Sequence, residues 1–105
     1  MKETESLMKS LIGIKSVTGE EGQLRSFVHQ WLSSNGIPVI KQNSNLVVAF
    51  CNNNPNGLMF NAHMDTVTPG DISNWRYPPF GEGSGVIKNK KMYGLGASDE
   101  DCAAG

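Results

Sequence analysis

Apolar residues near the amino terminus recur at helical spacing. Leu7, Leu11 and Ile14 lie on one face, Met8 and Ile12 widen it, and together they predict a helix over residues 4–15. Ser16-Val17-Thr18-Gly19 breaks that pattern. Thr18 and Glu21 have the spacing of a capping box, in which the hydroxyl takes the Glu21 amide and the carboxylate reaches back. A second helix is predicted over residues 19–34, with Leu24, Phe27, Val28, Trp31 and Leu32 at i, i+3, i+4, i+7 and i+8. Asn35-Gly36 supplies a left-handed terminus, and Pro38 prevents the helix from resuming.

Beyond Gly36 the period changes. Residues 37–41 read as a short strand. Residues 46–50 are apolar at every position and rich in β-branched side chains, which suits a strand covered on both faces. Asn52-Asn53-Asn54-Pro55-Asn56-Gly57 is a turn by composition. Residues 58–62 form a third predicted strand, with His63 at its end. Residues 66–85 hold Pro69, Pro78, Pro79 and several glycines, so they read as a long ordered loop. Two strands flanking Asn89-Lys90 predict a hairpin over residues 86–93. No internal repeat or separating linker is visible. Two helices followed by a run of strands place the chain in the α/β class, with strand order unreadable. Ala103-Ala104-Gly105 follows closely on what reads as the opening of a helix at Ser98, so the expectation is a truncated domain.

The 105 residues suit one domain. A net charge of −1 gives no electrostatic footprint for nucleic acid or an anionic membrane. A mean hydropathy of −0.32 fits neither a disordered nor a membrane-spanning chain. The polar start, Met1-Lys2-Glu3-Thr4-Glu5-Ser6, leads into no signal-peptide stretch, and Cys51 and Cys102 make no disulfide framework. The expectation is a reduced, cytoplasmic protein.

Two segments carry candidate chemistry. In Asn61-Ala62-His63-Met64-Asp65-Thr66-Val67, His63 and Asp65 are two apart, so on an extended strand they point to one side. Imidazole is a common zinc ligand, and a ligating histidine needs a carboxylate or carbonyl on its other nitrogen. A polar turn after a strand explains the same pair. In Gly94-Leu95-Gly96-Ala97-Ser98-Asp99-Glu100-Asp101, Asp99 lies 34 residues after Asp65, and three acids could favour a divalent cation. A helix start, with Ser98 as cap and acids in the first turn, explains that segment equally. It has no phosphate-loop signature.

The order of these segments, with Trp75 and Pro78-Pro79-Phe80 between them and Ser16-Val17-Thr18-Gly19-Glu20-Glu21 before them, resembles the N-terminal part of the co-catalytic zinc deacylases and exopeptidases. That group includes acetylornithine deacetylase, succinyl-diaminopimelate desuccinylase, carboxypeptidase G and peptidase T, and the resemblance covers most of the chain. It implies that residues 1–105 are the N-terminal portion of a zinc-exopeptidase-type α/β catalytic domain, with no second domain present. His63 would ligate one zinc, Asp65 would serve catalysis by orienting His63, and Asp99 would bridge two zincs, for which Co2+ could substitute. The substrate would be an N-acyl amino acid or short peptide cleaved at its amide bond; no nucleic acid or membrane is implied, and the parent protein could be a homodimer.

The chain departs from the group's pattern at Leu95-Gly96, where Arg-Gly is usual, and at Glu100-Asp101-Cys102-Ala103, where Met-Lys-Gly-Gly is usual. These departures bear on substrate preference. The group's Glu-Glu pair, further acid and C-terminal histidine are not among the 105 residues, so the chain by itself is expected to be inactive and to expose apolar sheet surface. The competing reading is a non-catalytic α/β binding module or degenerate family member. His29, Trp31 and Phe27 read as boundary and core residues, Trp75 and Phe80 as anchors of the long loop, and Lys88, Lys90 and Lys91 as a solvated hairpin face.

Overall fold

The computed structural model describes residues 2–49 and 56–98. Two helices precede two antiparallel strand pairs, a mixed α and β fold. The chain divides into two compact units, one of Met1–Leu24 with Ala62–Gly105 and one of Arg25–Asn61.

In the first unit α1 spans Lys2–Gly13. Its stripe behaves as the spacing predicts: Leu11 and Ile12 are buried, and Leu7, Met8 and Ile14 are half-buried. Among the described residues, Ile12, Leu24 and Pro79 are the largest fully buried side chains. Strands β3 (Val86–Lys88) and β4 (Lys91–Tyr93) pair with Val86 opposite Tyr93 and Lys88 opposite Lys91. The turn between them has positive φ at both central residues, Asn89 at 53° and Lys90 at 63°, as a two-residue type I′ connection requires. After β4 the backbone presses on α1. A Cβ at Gly94 would lie 2.2 Å from Ile12 Cγ2, so only glycine fits there. Two loop bonds hold this packing, Gly81 N–H to Gly13 O at 2.8 Å and Leu95 N–H to Pro79 O at 2.8 Å. The Tyr77 and Tyr93 rings meet at 5.0 Å between centroids, tilted by 53°.

The long loop is ordered by its own polar groups. Trp75 Nε1 donates to Pro69 O at 2.9 Å, which anchors the indole as expected. Asp71 caps a single 3₁₀ turn, Ile72–Asn74, by accepting from Ser73 N–H and Ser73 Oγ at 3.0 and 2.7 Å. These bonds hold its carboxyl below the usual carboxylate range.

Helix α2 spans Gly22–Ser34, three residues later than the capping-box reading implies. Gly19 has φ +90°, outside helical geometry, and Glu20 N–H closes a turn on Val17 O instead. The carboxylate of Glu21 does reach back, but to Gly19 N–H, at 2.8 Å. The carboxyl end follows the sequence closely. Gly36 is left-handed, Ile37 N–H bonds Leu32 O and Gly36 N–H bonds Ser33 O, the paired bonds of a Schellman terminus.

In the second unit β1 (Ile40–Gln42) and β2 (Asn45–Val47) form a hairpin turning at Asn43, φ 57°. Arg25 Nε donates to Ser44 O at 2.9 Å. The expected strand at 37–41 begins later because the Ile37 amide closes the helix and Pro38 has no amide proton. The expected double-sided cover of residues 46–50 is not found among the described residues: Ile40 and Val47 are exposed, because a two-stranded ribbon leaves a face to solvent. Residues 58–62 form no strand. Among the described residues no strand pairs with them, and Leu58, Met59 and Phe60 are 90% or more exposed. Ser98, where a helix opening is expected, lies in a turn; the residues that would continue that helix, and Cys51 and Cys102, lie outside the described residues. No helix among the described residues is long and apolar enough to cross a membrane.

Candidate functional site

The segment from residue 58 lacks the strand expected over residues 58–62, yet a backbone bridge holds its far end at Thr66. Thr66 N–H donates to Ser16 O at 2.8 Å and Thr18 N–H donates to Thr66 O at 3.0 Å, an isolated parallel pairing of Val17 with Thr66. The bridge fixes Asp65 beside the loop that follows α1. There the Thr18 hydroxyl donates to Asp65 Oδ2 at 2.5 Å. This places Thr18 in a role the sequence reading missed, since capping-box spacing absorbed it; nothing in the local pattern joins it to a residue 47 positions away.

His63 and Asp65 lie together without an ideal strand. His63 Nδ1 is 2.9 Å from Asp65 O and 3.2 Å from Asp65 Oδ1. A backbone carbonyl only accepts, so this contact is a hydrogen bond when Nδ1 carries the proton. The neutral ring then keeps its lone pair on Nε2. The His63 side chain is about half exposed and that of Asp65 about a third. The Thr18 hydroxyl, above all, lowers the Asp65 carboxyl from its ordinary value; its own backbone amide and His63 add to this, and partial desolvation opposes it. Asp65 is therefore an ionised acceptor with one oxygen toward Thr18 and the other toward His63.

Beside this cluster the loop lines an open cleft of about 500 Å³, formed by residues that include Lys15, Thr18, Glu20, Pro69, Ile72 and Phe80. Lys15 Nζ lies 3.4 Å from Glu20 Oε2 and 5.6 Å from the centre of the Phe80 ring. Asp99, the second expected metal ligand, lies outside the described residues. Among the described residues no group of three His, Cys, Asp or Glu side chains converges as a metal site. The donors that are described, an imidazole with its Nδ1 on the Asp65 carbonyl and near its carboxylate, fit one ligand and its orienting partner.

Comparison with known proteins adds a direction to this geometry. The chain is similar to proteins named succinyl-diaminopimelate desuccinylase. It is 34% identical over 100 residues to those of Orientia tsutsugamushi strains Boryong and Ikeda, covering 89% of this chain and 25% of each relative. It is 55% identical over 42 residues to that of Blochmanniella floridana, covering 40% of this chain and 10% of the relative. The chain thus spans about a quarter or less of the length of these curated relatives. No protein-family model matches it.

Proposed function

We propose that the chain is the N-terminal part of a metal-dependent amide hydrolase that removes an acyl group, such as succinyl, from the nitrogen of an amino or diamino acid. The observation that carries this reading is the His63–Asp65 pair, with Nδ1 hydrogen-bonded to the Asp65 carbonyl and 3.2 Å from its carboxylate, in a chain similar over most of its length to desuccinylases. In this reading His63 is a metal ligand, Asp65 orients it, and Asp99 is the bridging ligand of a two-zinc centre. Bound zinc supplies a Lewis acid for the amide carbonyl and an acidified water. The work of this chain's residues is positional. Asp65 keeps the proton on Nδ1 and so makes Nε2 the lone-pair nitrogen that would ligate the metal. The low carboxyl pKa of Asp65 maintains its charge at neutral pH.

The test uses an N-succinyl diamino acid and, in parallel, other N-acyl amino acids. They are assayed with this chain and with the longest product of its reading frame. The longer product is expected to release the acyl group, to lose that activity on chelation and to regain it with Zn2+ or Co2+. The 105-residue chain is expected to release none. A His63→Ala variant of the longer product is expected to fall at least 100-fold in activity. A fully zinc-loaded longer product that cleaves no acyl amide overturns the reading.

A further inference from the structure

The hydroxyl of Thr18 stands outside both the helix it seemed to cap and any role assigned above. Its backbone is fixed first: Thr18 N–H to Thr66 O and Thr66 N–H to Ser16 O hold residues 16–18 against residues 65–66. Gly19, at φ +90°, turns the chain away immediately afterwards. With the backbone so held, Oγ1 lies 2.5 Å from Asp65 Oδ2 and 3.3 Å from Thr66 O. A hydroxyl has one proton to give. The shorter, charge-assisted contact takes it, at the short end of O–H···O⁻ distances.

An aspartate has no strong intrinsic preference at its terminal torsion, which is broad and two-fold. Within Asp65 itself the backbone amide is the one group that contacts the carboxylate, so further partners are needed to fix its plane. Thr18 holds Oδ2 on one side while Oδ1 lies 3.2 Å from His63 Nδ1 on the other, beside the 2.9 Å hydrogen bond of Nδ1 to the Asp65 carbonyl. Rotation of the carboxylate would disrupt both contacts together. We infer that Thr18 is a positioning residue: its hydroxyl clamps the Asp65 carboxylate so that Oδ1 faces His63 Nδ1 and reinforces the Asp65 carbonyl in holding the proton there. The inference deepens the hydrolase reading and rests on its site, while the Thr18–Asp65–His63 contacts are made by this chain's own residues.

The decisive measurement is therefore made on the metal-free chain. Long-range 15N–1H NMR reads the tautomer of the neutral His63 ring in the wild type, Thr18→Val and Thr18→Ser. The wild type and Thr18→Ser are expected to hold the proton on Nδ1. Thr18→Val, which keeps the branched shape and loses the donor, is expected to shift it toward Nε2. In the longer product the same Val substitution is expected to weaken zinc affinity by about tenfold, with recovery in the Ser variant. An unchanged tautomer in folded Thr18→Val, or a Ser variant that behaves like Val, overturns the inference. Should Thr18→Val fail to fold, the wild type decides: a Thr18 hydroxyl proton resolved from water, with an isotope effect on the Asp65 carboxyl carbon, supports the clamp, and a hydroxyl averaged with water overturns it. Loss of acyl-amide turnover in every variant would strike the hydrolase reading and leave the tautomer result intact.

Discussion

Asp65 shows how a side chain on an open loop can lose its freedom. Surface carboxylates ordinarily sample many orientations in water, whereas this one is contacted on both oxygens by residues far from it and near it in sequence. Asp71 is held through a single oxygen, Oδ1, which accepts from both Ser73 N–H and Ser73 Oγ. Both carboxyls titrate below 3.8 in the folded chain, Asp65 chiefly through the Thr18 hydroxyl and Asp71 through Ser73. Over that interval the unfolded chain binds more protons, so stability rises with pH there. The contribution is complete above the unfolded value near 3.8 and fades as the pH falls through the lower folded values. Denaturant titrations between pH 5 and pH 2 are expected to show this decline, and a shallower one for Asp65→Asn combined with Asp71→Asn. The pairing of His63 with Asp65 was legible because two positions apart is a local relation. The partner Thr18 was not, because a Thr followed three positions later by Glu has a local explanation that satisfies the pattern.

At the scale of elements, periodicity read the helices and the second hairpin well. The stripe from Leu7 to Ile14 faces inward, the Asn35-Gly36 terminus closes α2, and Asn89-Lys90 turns the β3–β4 pair. Strands were less legible because a strand is defined by its partner. Residues 58–62 have the composition of a buried strand, and no described strand pairs with them. Close approach between elements was also invisible in the sequence, where Gly94 is one of 12 glycines. In the fold it is the residue that lets the chain after β4 pass over Ile12. Gly94→Ala is expected to destabilise by about 1–3 kcal/mol through overpacking, read as a fall in melting temperature. Ile12→Ala alone is expected to cost about 2–5 kcal/mol. Because it removes the very methyl that the new Cβ would strike, the double variant is expected to cost less than the sum of the two.

For the molecule as a whole, the mixed α and β class and the placing of helices before strands followed from the sequence. The division into two units did not, since no change of composition marks it. Leu58-Met59-Phe60 stands in solvent as three consecutive apolar side chains. Such a stretch invites association with other chains. Light scattering is expected to show self-association that rises with concentration, and Met59→Lys is expected to reduce it by breaking the apolar run.

The two backbone hydrogen bonds joining residues 16–18 to Thr66 close a ring across a sequence separation of 48 between Thr18 and Thr66. The entropy of closing a flexible ring grows only with the logarithm of its size, and doubling it would add about 0.6 kcal/mol. Everything from Arg25 to Asn61 lies on that ring. Its contour can lengthen or shorten in evolution or by engineering with little thermodynamic consequence for the knot at its neck, where a threonine, an aspartate and a histidine meet.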